Sequence, residues 1–153
     1  MEYESDAKQN VDGTMEGRLV YTVSAIMRKA SDRALTPMGL SAAQTPVLVS
    51  LREAGRPMMI TEIARCLYLE TPSVTSMVDR LSERGLVERM KDPKDRRKAL
   101  VTLTRKGKRL VESILGPDRY LQEEMFGALD SAERETLRTL LEKFRDANLY
   151  RLD

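Results

Sequence analysis

From Met15 onward, Leu19, Val20, Val23, Ile26, Met27 and Ala30 recur at helical spacing and predict a helix of about five turns. Pro37 and Gly39 in "TPMGLS" end it. Ser41 can cap a second helix with Val47, Leu48 and Leu51 on one face, closed by Gly55 and Pro57. Pro46 lies inside that span, so the helix is either kinked or begins later than Ser41. Thr61 can then serve as the N-cap of a short helix striped by Ile63, Ala64 and Leu67. Thr71 caps the next, with Pro72 at its first position, Val74, Met77, Val78 and Leu81 inward, and Gly85 beyond its end. Two short capped helices joined by a tight turn read as a helix-turn-helix.

The pattern then changes period. "LVERM" sets Val87 and Arg89 against Leu86, Glu88 and Met90, as a half-buried strand would, and "ALVTL" supplies a second strand. The loop between them, about eight residues long, exceeds the usual 2 to 5 of a hairpin. A hairpin directly after a helix-turn-helix makes a winged helix, with this charged loop as its wing. Thr104 caps a helix carrying Leu110, Val111, Ile114 and Leu115, which Gly116 and Pro117 break or kink. Asp130 and Glu133 stand at capping-box spacing ahead of Leu137, Leu140, Leu141 and Phe144. The expected fold is mainly α with a small β-hairpin wing. Residues 1–13 read as a disordered tail and 14–153 as a single domain. Within it, 41–104 form the winged-helix lobe, and 14–36 and 105–153 are flanking helices too apolar to remain single in water.

Composition narrows the function. There is no histidine among 153 residues, which removes the commonest general base, the commonest zinc ligand and every Ser-His or Cys-His pairing. The eight glycines are scattered rather than gathered into a phosphate loop, and no pair of acids stands out from ordinary surface Asp and Glu. The reading is therefore of a protein that is not an enzyme and needs no cofactor or resident metal. One cysteine, Cys66, excludes an intramolecular disulfide, and whether it senses oxidants is open. The acidic start resembles no secretory signal and no apolar run approaches membrane-spanning length, so a cytoplasmic protein is expected. Between Thr61 and Arg109 there are 13 Lys and Arg against 7 Asp and Glu, whereas the rest of the chain has 13 against 17. Such a basic middle third is the first footprint of a nucleic-acid binder, although a solvated basic face would look the same.

The run "TEIARCLYLETPSVTSMVDRLSERGLVERMKDPKDRRKALVTLTRKGKRLV" resembles the MarR (multiple-antibiotic-resistance regulator) family of transcription regulators. "VDRLSERGLVER", the wing "DPKDRRK" and the closing "LTRKG" carry the likeness most specifically. The resemblance implies a homodimer in which the N- and C-terminal helices interlock. It also implies binding to pseudo-palindromic double-stranded DNA, usually as a repressor released by a small-molecule effector. Metal sensors of the family use histidines, which this chain lacks. Its organic-peroxide sensors carry their cysteine in the first helix, whereas Cys66 lies within the helix-turn-helix.

Within the recognition helix, 71–84, the inward stripe leaves Pro72, Ser76 and Asp79 opposite, with Ser73, Thr75 and Arg80 on the flanks. Small hydroxyl residues near a helix N-terminus let backbone approach base edges and phosphates, so Thr71, Pro72, Ser73, Thr75, Ser76 and Arg80 are the candidates there. In the wing, 91–98, a cationic tip can place an arginine in the negative minor groove. The resemblance assigns that role to Arg97, held by Asp95, while Lys94, Arg96 and Lys98 would contact phosphates. Arg89 and Lys91, at the base of the wing, are secondary candidates. Two readings of the lobe stand: a DNA-binding regulator, and a winged helix used only for protein–protein assembly, which would not depend on the basic wing. No effector-binding residues can be named from the pattern.

Overall fold

A computed structural model describes residues 14–93, 95, 98–115 and 125–149. The tail and the Gly116–Pro117 break lie outside them. The chain divides into two compact units, the first ending at Ala42. In the first, helix α1 spans Met15–Leu35, as its apolar spacing predicts. Thr14 caps it, its hydroxyl oxygen accepting from the Gly17 N–H at 3.4 Å. A single 3-10 turn, Thr36–Met38, and Gly39 at φ 69° end it. Asp32 ties this turn down: its carboxylate accepts from the Ala42 N–H and its carbonyl from the Thr36 hydroxyl, both at 2.6 Å. Most of the α1 stripe is open, with Leu19, Val23 and Ile26 49–60% exposed. So much apolar surface on one helix calls for a covering partner.

The second unit starts with helix α2, Thr45–Ala54. Pro46 is its second residue, so the helix begins later than Ser41 and is not kinked. At that position the missing N–H has no intrahelical carbonyl to lose. A two-residue strand β1, Met58–Met59, leads directly into helix α3, Ile60–Leu67. Thr61 is therefore not an N-cap. Pairing of β1 with a later strand keeps Met59 extended, and the helix starts at the next residue. Glu62 reaches back instead, its carboxylate accepting weakly from the Met59 N–H at 3.4 Å.

Helix α4 spans Thr71–Glu83, one residue short of the expected 71–84. Glu70, not Thr71, holds the capping position, so Thr71 and Pro72 are the first and second helical residues. The Glu70 carbonyl accepts from the Ser73 and Val74 N–H groups at 3.0 and 3.2 Å. Val74, Val78 and Leu81 are fully buried, each contributing roughly 1.5–3 kcal/mol, whereas Met77 is only half-buried. Gly85 takes φ 65°, a left-handed conformation that spares glycine the Cβ penalty and turns the chain into the hairpin.

Strands β2, Val87–Lys91, and β3, Ala99–Leu103, pair antiparallel with Val87 opposite Leu103 and Lys91 opposite Ala99. Only the residues between these two strands, seven rather than about eight, form the loop. Strand β1 adds to the other edge of β3, giving the order β1-β3-β2. The expected alternation along "LVERM" is absent: Leu86 and Val87 are both buried and Glu88 through Lys91 are all exposed. β2 is the outer strand of the sheet, so its residues beyond Val87 stay exposed, whereas central β3 keeps Val101, opposite Arg89, fully buried.

Helix α5, Arg105–Leu115, is capped by Thr104, whose hydroxyl oxygen accepts from the Gly107 N–H at 3.0 Å. Fully buried Val111 joins the core formed with Val47, Leu48, Ile63 and Val101. Helix α6, Ser131–Asn148, opens with the expected reciprocal cap: Asp130 and Glu133 exchange backbone-to-carboxylate bonds of 2.9 Å. Its stripe is open as well; Leu140, Leu141 and Phe144 are 47–59% exposed.

Candidate nucleic-acid interface

The helix-turn-helix is built from α3 and α4 around a turn at Tyr68. Tyr68 has φ 54°, a left-handed value unusual for a side chain with a Cβ. Its N–H caps the end of α3 on the Arg65 carbonyl at 3.3 Å, and the Leu69 N–H follows on Ala64 at 3.0 Å. These bonds fix the angle at which α4 leaves α3. Arg56 braces the N-terminal end of α3, its guanidinium bonded to both carboxylate oxygens of Glu62. That bond, with the charge behind it, holds the Glu62 carboxyl below the usual carboxylate range.

With Val74, Val78 and Leu81 locked into the core, α4 turns the opposite face outward. Thr71, Pro72, Ser73, Ser76, Asp79 and Arg80 are exposed, as the helical spacing requires. Thr75 is different. It is half-buried and its hydroxyl donates to the Thr71 carbonyl at 2.9 Å, so its proton is already engaged on its own helix. On its flank of the helix Thr75 thus offers chiefly its methyl group and an acceptor lone pair.

Of the wing candidates, Asp95 and Lys98 are described, while Lys94, Arg96 and Arg97 lie outside the described residues. The Lys98 N–H donates to the Asp95 carbonyl at 2.9 Å, and the Asp92 N–H donates to the Lys98 carbonyl at 3.0 Å. The Lys98 ammonium stands 3.8 Å from the Asp95 carboxylate. The wing thus closes on backbone hydrogen bonds around Asp95, with exposed Lys91 and Lys98 at its two roots.

One contact between the two elements was not legible from spacing. Arg89 on β2 donates from Nη2 to Oδ1 of Asp79 on α4 at 2.6 Å, across the outer surface. Residues ten apart on different elements leave no periodic signal that would pair them. Cys66 is exposed. Among the described residues no cluster of His, Cys, Asp and Glu is placed to hold a metal ion. Nor is any helix among them long and apolar enough to cross a membrane.

The arrangement can place a helix end with small side chains, flanked by a cationic hairpin, against a polyanion of regular groove geometry. Comparison with known proteins agrees. A family model described as MarR family matches residues 40–99. The chain is 34% identical over 128 residues to the multiple antibiotic resistance protein MarR of Salmonella typhimurium, covering 83% of this chain and 88% of that protein. The crystal structure of a cysteine-to-serine mutant of MarR from E. coli complexed with operator DNA superposes with a TM-score of 0.77 at 32% identity, over 84% of this chain and 91% of that one. BpsR of Bordetella bronchiseptica, whose structure concerns regulation of its DNA binding by 6-hydroxynicotinic acid, gives 0.78 at 30% identity, over 88% and 94%. The lobe built from α3, α4 and the wing, and the extent of these matches, lead to one conclusion: the chain belongs to the MarR family of DNA-binding transcription regulators.

Proposed function

We propose that the protein is a homodimeric, cytoplasmic repressor that binds a pseudo-palindromic operator and is released by a small-molecule effector. The observation that carries this reading is the outward face of α4. Three fully buried side chains fix the rotation of the helix, and the face they leave open presents Pro72, Ser73, Ser76 and Arg80. Family membership favours this over an assembly module that ignores DNA, and members of the family are regulators rather than enzymes. In the proposed complex the N-terminal turn of α4 enters the major groove. Thr71, Ser73 and Ser76 lie close to base edges and phosphates, Thr75 offers its methyl group, and Arg80 reaches a guanine edge or a phosphate. The wing follows the duplex, with Arg97 in the minor groove, Asp95 as its holder, and Lys94, Arg96 and Lys98 on phosphates.

Dimerisation through residues 14–36 and 105–153 is supported by the open stripes of α1 and α6, which no single winged-helix lobe needs. A two-fold axis would then set the two recognition helices one duplex turn, ~34–36 Å, apart. An effector is supported by the relative whose DNA binding is regulated by 6-hydroxynicotinic acid. The test is a mobility-shift titration of the duplex upstream of the protein's own gene against a scrambled duplex, across salt concentrations, with light scattering on the same sample. A dimer that prefers one duplex, with affinity falling steeply as salt rises, is the expected result. A well-folded monomer at micromolar concentration, or retention that ignores salt, refutes the reading.

A further inference from the structure

The Asp79–Arg89 ion pair joins the recognition helix to the first strand of the wing hairpin, and its position raises a problem of sign. Asp79 lies on the face of α4 opposite Val74, Val78 and Leu81, the face that carries Pro72 and Ser76. A carboxylate there meets the phosphates of any duplex that the helix enters, and by itself it opposes binding. As a stabiliser of the fold it achieves little, because both partners are solvent-exposed, 40% for Arg89 and 54% for Asp79. The geometry suggests another use. Asp79 engages Nη2 of Arg89 at 2.6 Å, and no further hydrogen bond to this guanidinium is found among the described residues. Among the described residues Nε and Nη1 meet no acceptor, on a side chain whose long stem is now held in one orientation at the root of the wing.

We propose that Asp79 is a positioning residue for DNA binding. It fixes the Arg89 guanidinium between recognition helix and wing, so that the open edge of Arg89 clasps a backbone phosphate at the rim of the major groove. A guanidinium suits this division of labour, because its planar fork can serve a carboxylate on one edge and a phosphate on another. A lysine has no such second edge. The proposal rests on the DNA-binding reading above and adds to it a residue whose charge alone would argue against a role at the interface.

The sign of one substitution separates positioning from simple electrostatics. If the Asp79 carboxylate acted only as a charge, Asp79→Asn would raise affinity for every duplex. Positioning predicts the reverse: operator affinity falls about 3- to 10-fold while the slope of log affinity against log salt stays near that of the wild type. Arg89→Gln should cost at least as much and flatten that slope by about 0.9, the loss of one phosphate contact. In the Arg89→Gln background, Asp79→Asn should cost nothing further, since nothing is left to position. Asp79→Glu, which keeps the acceptor one methylene farther out, should retain most of the affinity, and Arg89→Lys should not rescue.

The experiment is salt-dependent titration of the upstream duplex and a scrambled duplex with these full-length variants, each checked by circular dichroism. If the wild type binds neither duplex, the DNA-binding reading fails and this inference with it. If the wild type binds and Asp79→Asn binds equally or more tightly, or the two substitutions simply add, only the positioning role is overturned.

Discussion

Gly107→Ala should destabilise the protein, although the same change in most helices does the opposite. Alanine in place of glycine within a helix is ordinarily worth roughly 0.5–1 kcal/mol of added stability. At Gly107, in the first turn of α5, an added Cβ would stand 2.0 Å from the Leu86 carbonyl oxygen, 3.0 Å from its carbon and 3.3 Å from a Leu103 methyl group. The first is a clash with backbone, which cannot rotate away. Leu86 is fully buried, and its carbonyl accepts from the Thr104 N–H at 3.1 Å and, more weakly, at 3.2 Å from the Thr104 hydroxyl, whose shorter bond of 2.7 Å is to the Gly85 carbonyl. Relief of the overlap needs a shift of more than an ångström, which stretches both bonds. Overpacking of this kind costs about 1–3 kcal/mol, and each weakened hydrogen bond costs about 1 more. The propensity gain is smaller than their sum, so a net loss of ~2–4 kcal/mol is expected. In urea the midpoint should fall with m unchanged, and the thermal midpoint should drop by roughly 10 °C at equal protomer concentration. Gly17→Ala is the internal control: an added Cβ in α1 meets only the Thr14 hydroxyl oxygen at 3.8 Å, so that variant should be neutral or slightly stabilised. If both variants unfold at the wild-type midpoint, or Gly107→Ala unfolds later, the close approach of α5 to Leu86 is wrong.

Tyr68→Gly should relieve the left-handed strain in the helix-turn-helix by about 1 kcal/mol, offset in part by glycine's greater freedom in the unfolded chain; a loss above ~1 kcal/mol by chemical denaturation would show that the phenol ring stabilises the turn. Glu62→Gln should cost about 0.5–1 kcal/mol at pH 7. Because the folded carboxyl sits below its unfolded value of 4.5, that cost is present above 4.5 and disappears as pH falls through the lowered folded value. Denaturation of wild type and variant at neutral and strongly acidic pH measures it, and an equal difference at both overturns the assignment. In the wing, Arg97→Ala should weaken operator binding by ~1–3 kcal/mol, and Asp95→Ala less. Lys94→Ala should weaken binding to all duplexes alike and lower the salt slope by about one. Wild-type affinity in a folded Arg97→Ala protein would reduce the wing to a solvated loop.

What the sequence determined by itself is whatever a few neighbouring residues can settle. The 3.6-residue spacing from Met15, the inward stripe of α4, the Asp130–Glu133 capping box, the Thr104 cap and the left-handed Gly85 all depend on hydrogen bonds or faces within one or two turns. The family likeness was legible for the same reason, being concentrated in one continuous run. Tertiary structure alone decided what depends on partners distant in the chain. Two methionines carry no period, so β1 exists only because Met58 and Met59 meet Val101 and Leu100 on β3, and that pairing in turn moves the capping position of α3 from Thr61 to Met59. The exposure of β2 beyond Val87 follows from its place as the outer strand of the sheet, since Val101 opposite Arg89 on the central strand is fully buried. The need for glycine at 107 comes from a carbonyl twenty-one residues earlier, and Asp79 finds Arg89 only after α4 and β2 have been laid side by side. Local rules fix the elements because their hydrogen bonds close over short loops. Contacts between elements are chosen by packing, which a linear pattern does not record.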